Sequence, residues 1–341
     1  MSEPVIKISV IIPVYNSSNY IKKCLESLIE QSYSNWEAYV IDDASTDDSF
    51  KLLSHVAKED SRIKVFHHEL NRGPGHTRNE GIMYASERNK TLQNGEGYIV
   101  FLDSDDWIEK TYFQSIVEVA IKDKADVIYV DLIQENESGK FIKYERMSEY
   151  KDQPIETIIR HQMTGKLPWG GVRKAVKTNL IAENNIRFSS DAIGEEAIYS
   201  FKLLYNAKKV GFIEKFLYHY VIHTNSQSGK RDENPYGPVC LKMREYLRES
   251  NLYDIYKNTL TSFAFTAVIV SIYRNTQYYD FYKAIKQSKE AMEKFRNDYG
   301  FDLDKYSLEL RTRCVLPLAR LNFVFPIVMA AKLKDLIRVL K

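Results

Sequence analysis

The sequence predicts an α/β fold: a mostly parallel β-sheet covered on both faces by helices and followed by a helical C-terminal extension. In the first half of the chain, β-branched and aromatic runs alternate with segments whose apolar residues recur at helical spacing. From Asn251 onward the pattern is helical, with many tyrosines and phenylalanines. With 341 residues, 44% of them hydrophobic, the chain can bury a sizeable core, and its length suggests two domains.

The elements follow in order along the chain. Strands are predicted in VIKISVII from Val5, where Pro13 should end the run, WEAYVIDD from Trp36, IKVFHH from Ile63, GYIVFLD from Gly97 and ADVIYVDL from Ala125. Helices are predicted from Ile21 to Ile29, in TDDSFKLLSHVAKE from Thr46, and from Thr77 to Ala85. Beyond about Tyr144 the alternation fades, and DENPYGP near residue 235 is the best candidate for a domain boundary.

Composition argues against several classes of protein. A formal net charge of +2 supplies no general attraction to nucleic acid, so no nucleic-acid partner is predicted. The three scattered cysteines are typical of reduced thiols in the cytoplasm rather than of a disulfide framework or a zinc site. The most apolar windows, from Phe263 and from Phe323, are shorter than the roughly 18 to 20 residues that span a bilayer, so no integral membrane segment is predicted.

Carboxylates follow two of the predicted strands directly. Asp42 and Asp43 end one strand, and Asp103, Asp105 and Asp106 follow another. Ligands bind beyond the carboxyl ends of the strands in such sheets, so both groups should project into one crevice. A buried acidic pair is costly unless it meets a donor or a cation, and a ligand's base N–H is one such donor. The alternative for VIDDASTDDS is a turn with a helix N-cap.

The spacing Asp103-Ser104-Asp105 lets two carboxylates share one hard divalent cation, directly or through water. Mg²⁺ or Mn²⁺ held in this way usually completes its shell with phosphate oxygens. The alternative is a solvated loop or an N-cap at Asp105 or Asp106. NRGPGHTRNEG, from Asn71, is equally typical of a loop and helix start on its own, but beside the acidic strand ends its Arg78 is predicted to contact a nucleotide.

Five motifs, ISVIIPVYN, VIDDASTDDS, NRGPGHTRN, FLDSDDW and GEEAIYS, occur in this order. Together they resemble the family 2 glycosyltransferases of the GT-A fold, a large class of bacterial inverting sugar transferases. The resemblance implies a Rossmann-like GT-A domain at residues 1–234, with a nucleotide-binding half over about 1–107 and an acceptor half over about 108–234. A helical region at residues 235–341 would follow and associate with a membrane or a partner.

The resemblance also implies a nucleotide-sugar donor, most often a UDP-sugar, and a Mn²⁺ or Mg²⁺ ion. Its implied donor site consists of Pro13 and Tyr15 beside the base, Asp42 or Asp43 on uracil and ribose, Arg78 against the nucleotide, and Asp103 with Ser104. Asp105 would bind the metal directly and Asp103 through water.

In this family the catalytic base is the second acid of a Glu-Asp pair after the D-x-D motif. Glu196 occupies that position here, preceded by Glu195, so Glu replaces the more usual Asp. Asp191 is the other candidate, and the alternative for GEEAIYSFKLL is a helix N-terminus with favourable acids in its first turn. Trp169, in a segment where two glycines replace the family's usual Asn-Lys, is predicted either to stack on an acceptor sugar or to pack in the core.

LYHYVIHTNSQS resembles the family's element after the base. His219, His223 and Ser226 are its candidates for contact with metal or diphosphate, although a lone histidine in an aromatic strand is more often structural.

The implied activity is an inverting, metal-dependent hexosyl- or N-acetylhexosaminyltransferase acting on a glycan or lipid-linked acceptor in bacterial surface polysaccharide or lipo-oligosaccharide synthesis. Two alternatives stay open: a metal-dependent phosphatase of the D-x-D type, and a non-catalytic nucleotide- or sugar-binding module. Asp106-Trp107 departs from the order usual in those phosphatases, and the Glu195-Glu196 pair argues against a binding module.

The C-terminal segment predicts peripheral attachment at the inner face of the plasma membrane. From Lys305 to Lys341, eight Lys and Arg against two Asp and Glu give a local charge of +6. One helical face carries Leu333, Leu336, Ile337 and Leu340, with Lys334, Arg338 and Lys341 along its edge. Such a helix can lie on an anionic membrane, and the alternative is docking on the protein's own core or on a second subunit.

Overall fold

The computed structural model describes residues 5–92, 96–189, 194–223 and 234–339. The chain forms two compact units, one of Met1–Ile155 with Trp169–Ser226 and one of Glu156–Pro168 with Gln227–Lys341. Residues 156–168, which the sequence placed in the first domain, therefore cluster with the C-terminal helices. The functional division at residue 234 stays a prediction.

One nine-stranded sheet organises the first unit. Its strands are β1 (Ile6–Val14), β2 (Trp36–Asp42), β3 (Ile63–His67), β4 (Glu96–Phe101), β5 (Trp107–Ile108), β6 (Val127–Asn136), β7 (Phe141–Glu145), β8 (Lys174–Lys177) and β9 (Val210–Ile222). Their order across the sheet is β3-β2-β1-β4-β8-β6-β9-β5, and β7 pairs with β6.

Twelve α-helices are seen in the described part of the chain. They are α1 (Ile21–Ile29), α2 (Ser49–Glu59), α3 (Pro74–Lys90), α4 (Tyr112–Asp123), α5 (Ile155–Met163), α6 (Thr178–Glu183), α7 (Glu195–Asn206), α8 (Gly237–Glu249), α9 (Tyr253–Tyr278), α10 (Phe281–Asp298), α11 (Leu310–Arg320) and α12 (Phe325–Val339). The predicted class, an α/β sheet flanked by helices with a C-terminal helical extension, is confirmed.

The sheet is parallel in its N-terminal half and mixed beyond it. β1 pairs in parallel with β2 and β4, and β2 pairs in parallel with β3. β8 then inserts antiparallel between β4 and β6. Because β8 has only four residues, its sequence shows too little alternation to be recognised as a strand.

Helix α3 packs closely against β1 at Gly81. A Cβ placed on Gly81 of α3 would lie 2.4 Å from Ile11 Cγ2 on β1, so only glycine fits at this contact.

β1 continues through Pro13, which the sequence predicted to end it, and pairs as far as Val14 with Asp42. The carboxyl ends of β1, β2 and β4 consequently lie side by side.

The second unit contains, among the described residues, one helix that is long and apolar enough to cross a membrane. This helix is α9, which the shorter sequence windows did not predict as a candidate span. It packs against α8, α10 and α12, and 61% of its most apolar stretch is buried. Such burial is typical of a helix at the core of a helical domain.

The last helix, α12, docks on α9 and α10. Ile327, Val328 and Ala331 are buried there. Leu333, which the sequence placed on the membrane-binding face, is 59% exposed. Lys334 of the predicted basic edge is exposed, and its Nζ lies 4.7 Å from the ring centroid of Tyr273 on α9. The side chains of residues 336–338, 340 and 341 lie outside the described part of the structure.

Candidate functional site

The carboxyl ends of β1, β2 and β4 bring the two groups of aspartates to one edge of the sheet, as the sequence predicted. The Asp43 N–H donates to Val14 O (2.8 Å), and the Leu102 N–H donates to Ile11 O (3.1 Å), which continues the strand pairing into the two acidic segments. Ser104 is buried, and its Oγ lies 2.7 Å from Ser17 Oγ in the segment after β1. The D-x-D turn is therefore tied to the end of β1.

The three aspartates after β4 have different environments. Asp103 Oδ1 accepts a hydrogen bond from Arg78 Nη2 at 2.9 Å. Asp106 is buried and accepts bonds from the Tyr218 hydroxyl (2.6 Å) and the Val221 N–H (2.8 Å). Burial, reinforced by the charges of Asp103 and Asp105, raises the pKa of Asp106 well above its ordinary value. Asp106 thus anchors β9 beneath the site, and Asp103 and Asp105 are the carboxylates of the motif that stay partly exposed.

Asp105 and His223 form a pair that suits a divalent cation. His223 Nε2 lies 2.9 Å from Asp105 Oδ2, and His223 Nδ1 lies 2.7 Å from Glu137 Oε1. Burial and the neighbouring Asp103 raise the pKa of Asp105, because its negative charge is poorly compensated. A cation between Asp105 and His223 would supply the missing charge, with Glu137 orienting the imidazole.

The Asp43 carboxylate holds the loop that precedes α3. Its Oδ1 accepts from the Arg72 N–H (2.9 Å) and lies 2.7 Å from His68 Nδ1, and its Oδ2 accepts from the Gly73 N–H (2.8 Å). Gly73 has φ +84°, a conformation that glycine adopts without strain. Asp43 therefore holds the turn that opens α3.

Asp42 is the member of the pair whose carboxylate has an unpaired oxygen. Its Oδ2 faces His67 Nδ1 at 2.7 Å, whereas Oδ1 is buried without a hydrogen-bond partner in the described structure. A buried acceptor left in this state is costly unless a ligand donor meets it. Of the residues predicted to border the base, Pro13 is partly buried within β1, and Tyr15, directly after the strand, is 52% exposed.

Arg78 connects the D-x-D motif with the candidate base. Besides its bond to Asp103, its Nη1 lies 3.6 Å from Glu195 Oε1 and 3.9 Å from Glu196 Oε1. Burial opposes the charge of this guanidinium, but the three carboxylates outweigh it and raise the pKa of Arg78. The arginine that the sequence assigned to nucleotide contact is therefore a buried cation at the centre of the acidic cluster.

Glu196 lies in the first turn of α7, so it is both a helix N-terminal acid and a member of this cluster. Its Oε1 accepts a hydrogen bond from the Gly171 N–H at 3.2 Å. Burial opposes ionisation of Glu196, but Arg78, the Gly171 N–H, Lys174 and Arg173 together lower its pKa. The Glu196 carboxylate is consequently ionised at neutral pH and able to accept a proton.

A close contact with Glu195 requires glycine at position 75 of the NRGPG segment. A Cβ at this position would lie 2.0 Å from Glu195 Oε2 and 3.0 Å from Ser189 O. The first turn of α3 therefore packs directly on Glu195, which is buried. This contact places Arg78, one turn further along α3, against the acidic pair.

Lys174 is a site residue that the sequence analysis missed. The side chain is fully buried, and its Nζ donates to Trp169 O (2.7 Å), Gly170 O (3.0 Å) and Ser200 Oγ (2.7 Å). Three acceptors satisfy all three ammonium donors. Lys174 thus fixes the turn whose Gly171 N–H reaches Glu196. A lysine three positions after the Gly170–Gly171 pair was the only signal in the sequence.

We expect Lys174→Met to destabilise the fold by about 1–3 kcal/mol, because it leaves the Gly170 carbonyl without a donor, while Trp169 O keeps the Ser200 hydroxyl at 2.6 Å. Lys177→Met on the same strand is the matched control, since Lys177 is less buried and pairs with Glu96 at 2.7 Å; its cost should stay within about 1 kcal/mol. Urea unfolding of both variants measures the difference. Equal stability of the two proteins would show that the Lys174 contacts do not hold the turn.

The remaining predicted residues divide between described and undescribed parts of the chain. Trp169 is partly buried, and its carbonyl belongs to the Lys174 cluster. His219 stacks on Trp107, with ring centroids 3.4 Å apart, and faces Glu109 and Glu135, so it is a packing residue of β9. Asp191 and Ser226 lie outside the described residues.

Comparison with known proteins gives consistent matches. The family model described as glycosyl transferase family 2 matches residues 9–176. The Bacillus subtilis protein EpsH, named as a glycosyltransferase, is 32% identical over 264 residues, which are 75% of this chain and 73% of EpsH. Glycosyltransferase GlyA of Streptococcus pneumoniae is 32% identical over 65% of this chain, which spans only 31% of GlyA. Poly(ribitol-phosphate) beta-glucosyltransferase of Bacillus spizizenii is 29% identical over 65% of this chain and 33% of its own length.

Among solved structures, residues 1–349 of S. aureus TarS in complex with UDP-GlcNAc superpose with a TM-score of 0.66 at 22% identity. The match covers 96% of this chain and 90% of the TarS fragment. This likeness extends over the sheet and the C-terminal helices alike, and it shows a shared fold.

Proposed function

Because the chain belongs to glycosyltransferase family 2, we propose that it is an inverting, metal-dependent glycosyltransferase. Its donor is a UDP-sugar, and its acceptor is a hydroxyl of a glycan in bacterial surface polysaccharide or lipo-oligosaccharide synthesis. The UDP-GlcNAc complex of TarS and the name of the poly(ribitol-phosphate) glucosyltransferase support a hexosyl or N-acetylhexosaminyl group. Membership of this family leaves the phosphatase alternative without support.

One observation supports this proposal above the others. The Arg78 guanidinium is 2.9 Å from the first aspartate of the D-x-D motif and 3.9 Å from Glu196. The candidate metal motif and the candidate base thus border one crevice beyond the carboxyl ends of the strands, where α/β sheets bind ligands. A sugar transferase needs this proximity, because the leaving diphosphate and the attacking hydroxyl lie on opposite sides of one carbon atom.

The donor side of the crevice is suited to a nucleoside diphosphate. Asp42 offers its unpartnered oxygen to a base N–H, and Asp105 with His223 would hold Mn²⁺ or Mg²⁺, assisted by Asp103 through water. Such an ion, when bound, neutralises the charge that develops on the departing diphosphate. Arg78 lies where a phosphate oxygen could replace one of its carboxylate partners.

The acceptor side contributes the proton acceptor. Glu196 takes the proton from the acceptor hydroxyl, whose oxygen bonds to the anomeric carbon as the bond to the diphosphate oxygen breaks. One displacement inverts the configuration, and no carboxylate nucleophile is required. Trp169, at the edge of the Gly170–Gly171 turn, remains the proposed stacking surface for the acceptor sugar.

Release of nucleoside diphosphate from a panel of nucleotide sugars tests the proposal. The panel would contain UDP-glucose, UDP-N-acetylglucosamine, UDP-galactose and GDP-mannose, each with Mn²⁺, with Mg²⁺ and with EDTA. We expect turnover with at least one UDP-sugar that EDTA abolishes. Binding of UDP without release from any donor or added glycan acceptor would instead identify a non-catalytic binding module.

We further propose that α12 attaches the protein to the cytoplasmic face of the membrane. Phe325, Met329 and Leu333, spaced four residues apart on one helical face, are all exposed although α12 is docked by its other side. Exposed cations, among them Arg311, Arg320 and Lys334, occur in the same segment of the chain. An exposed apolar stripe with nearby positive charge suits an anionic lipid surface.

Flotation with liposomes checks this attachment. The intact protein should rise with anionic vesicles in a salt-sensitive way, and Met329→Glu/Leu333→Glu should remain in the soluble fraction. These substitutions keep the buried side of α12, whereas a chain ending near Arg320 would also lose core contacts. If the double variant floats as well as the parent protein, the stripe is not the attachment site.

A further inference from the structure

A second cluster of metal-binding side chains lies beside the crevice, apart from the D-x-D motif. His68, His76 and Glu80 each offer a ligand atom, and these three atoms lie within 4.8 Å of one another. His68 comes directly after β3, and the other two are one turn apart on α3. A helical His-x-x-x-Glu pair facing a histidine from a neighbouring strand places two imidazoles and one carboxylate around one point.

The cluster is buried on the side of His68 and Glu80 and exposed to solvent on the side of His76. His68 and Glu80 are largely buried, and His68 Nε2 lies 2.7 Å from Glu80 Oε2. Glu80 Oε1 in turn accepts a bond from the Tyr84 hydroxyl at 2.7 Å. His76 is exposed, and its ring lies 5.8 Å from that of His68. His76 therefore offers its ligand nitrogen from the solvent side, where its Nε2 lies 3.4 Å from Arg72 Nη1.

Carboxylates flank both ring nitrogens of His68. His68 Nδ1 faces Asp43 Oδ1 and Nε2 faces Glu80 Oε2, both at 2.7 Å, so each ring nitrogen can donate to a carboxylate, and an ion would take the place of the hydrogen on Nε2. A carboxylate hydrogen-bonded to the far nitrogen of a ligating histidine is a recurrent support of metal sites, because it fixes the tautomer and raises the basicity of the ligand.

We propose that His68, His76 and Glu80 form a transition-metal site of the zinc type. Two imidazoles and one carboxylate suit Zn²⁺ in tetrahedral coordination with water in the fourth position. The oxygen-rich D-x-D motif suits harder ions such as Mg²⁺ and Mn²⁺. A bound ion would crosslink β3 to α3 and, through Asp43, tighten the Arg72–Gly73 turn. The site does not rest on the proposed sugar transfer.

The experiment uses the full chain carrying Asp105→Ala, so that the D-x-D motif cannot supply the signal. Zn²⁺ is titrated calorimetrically, and Co²⁺ serves as a spectroscopic probe, because its visible absorption is stronger in four-coordinate sites than in water. His76→Ala and Glu80→Gln are added in turn on this background. The matched control is His55→Ala, which removes an exposed histidine 3.4 Å from Glu59 on α2, another i,i+4 pair but one without a buried partner.

We expect one equivalent of Zn²⁺ to bind, the Co²⁺ band to appear, and the melting temperature to rise with added Zn²⁺. His76→Ala and Glu80→Gln should each weaken binding by at least about 10- to 100-fold, the cost of losing even a supporting group of a metal site. His55→Ala should bind as its parent does. Absence of stoichiometric Zn²⁺ binding, or binding that survives both ligand substitutions, would overturn the proposal and leave His68 as a purely structural bridge between two carboxylates.

Discussion

Asp105→Ala should abolish metal-dependent sugar transfer while leaving the protein folded. The Asp105 side chain is 36% exposed, and burial together with Asp103 already raises its pKa, so its removal relieves like-charge repulsion within the motif. The substitution takes away the carboxylate that pairs with His223 at the proposed metal position. Losing a Lewis acid of this kind costs several kcal/mol of transition-state stabilisation, or about 10³-fold in kcat.

Steady-state kinetics with Mn²⁺ and Mg²⁺ titrated to saturation measures this loss, and urea unfolding checks the fold. Asp103→Ala should reduce activity to a similar degree. Asp106→Ala is the contrasting variant within the same motif: it removes the acceptor of Tyr218 and Val221, so it should lower the free energy of unfolding by about 1–3 kcal/mol. Near-normal turnover of Asp105→Ala at any concentration of either ion would show that the metal assignment is wrong.

The difference between Asp105 and Asp106 shows where sequence interpretation ends. Parallel strands with short connections predict that acidic strand ends meet at one edge of the sheet, and they do. Which aspartate is buried depends on Tyr218, more than a hundred residues away on β9. Local pattern contains no information about such a contact, so the third carboxylate of the motif could not be recognised as an anchor.

For the same reason, the sequence could not distinguish the roles of Asp42 and Asp43 and could not identify Lys174 as a site residue. Both aspartates end one apolar strand, yet only the structure shows that backbone N–H groups of the Arg72–Gly73 turn occupy Asp43. Lys174 lies on β8, whose four residues pair with β4 and β6 in a direction that no short segment specifies. Long, periodic elements were therefore predictable, whereas partners brought together by chain topology were not.

The motifs alone do not show that Arg78 neutralises carboxylates from two parts of the site. In the structure it compensates Asp103, Glu195 and Glu196 at once. Diphosphate oxygens arriving at the D-x-D motif would compete for the same guanidinium. The interaction with Arg78 lowers the pKa of Glu196 in the free protein. We expect the competition to weaken this interaction and so to raise the pKa of Glu196. Donor binding would then make the carboxylate a stronger base when the acceptor is present.

Glu196→Gln should bind the donor normally yet lose about 10²- to 10⁴-fold in turnover, the usual cost of removing a general base. The amide retains an oxygen that can accept the Gly171 N–H at the same position, so the turn and the first part of α7 should stay in place. The amide cannot, however, take the proton of the acceptor hydroxyl. Calorimetric titration with UDP and measurement of kcat separate these two effects.

The matched control is Glu195→Gln, which changes the neighbouring carboxylate on the same helical turn. Because the Glu195 side chain is buried beneath Gly75 and faces Arg78, this variant should alter stability and donor affinity more than the chemical step. The pH dependence adds a further check. The lowered pKa of Glu196 in the free protein keeps the base ionised through neutral pH, so kcat/KM of the parent should fall on the acid side only below the ordinary range of glutamate. Normal turnover of Glu196→Gln, with a collapse in Glu195→Gln or Asp191→Asn, would transfer the role of base to that residue.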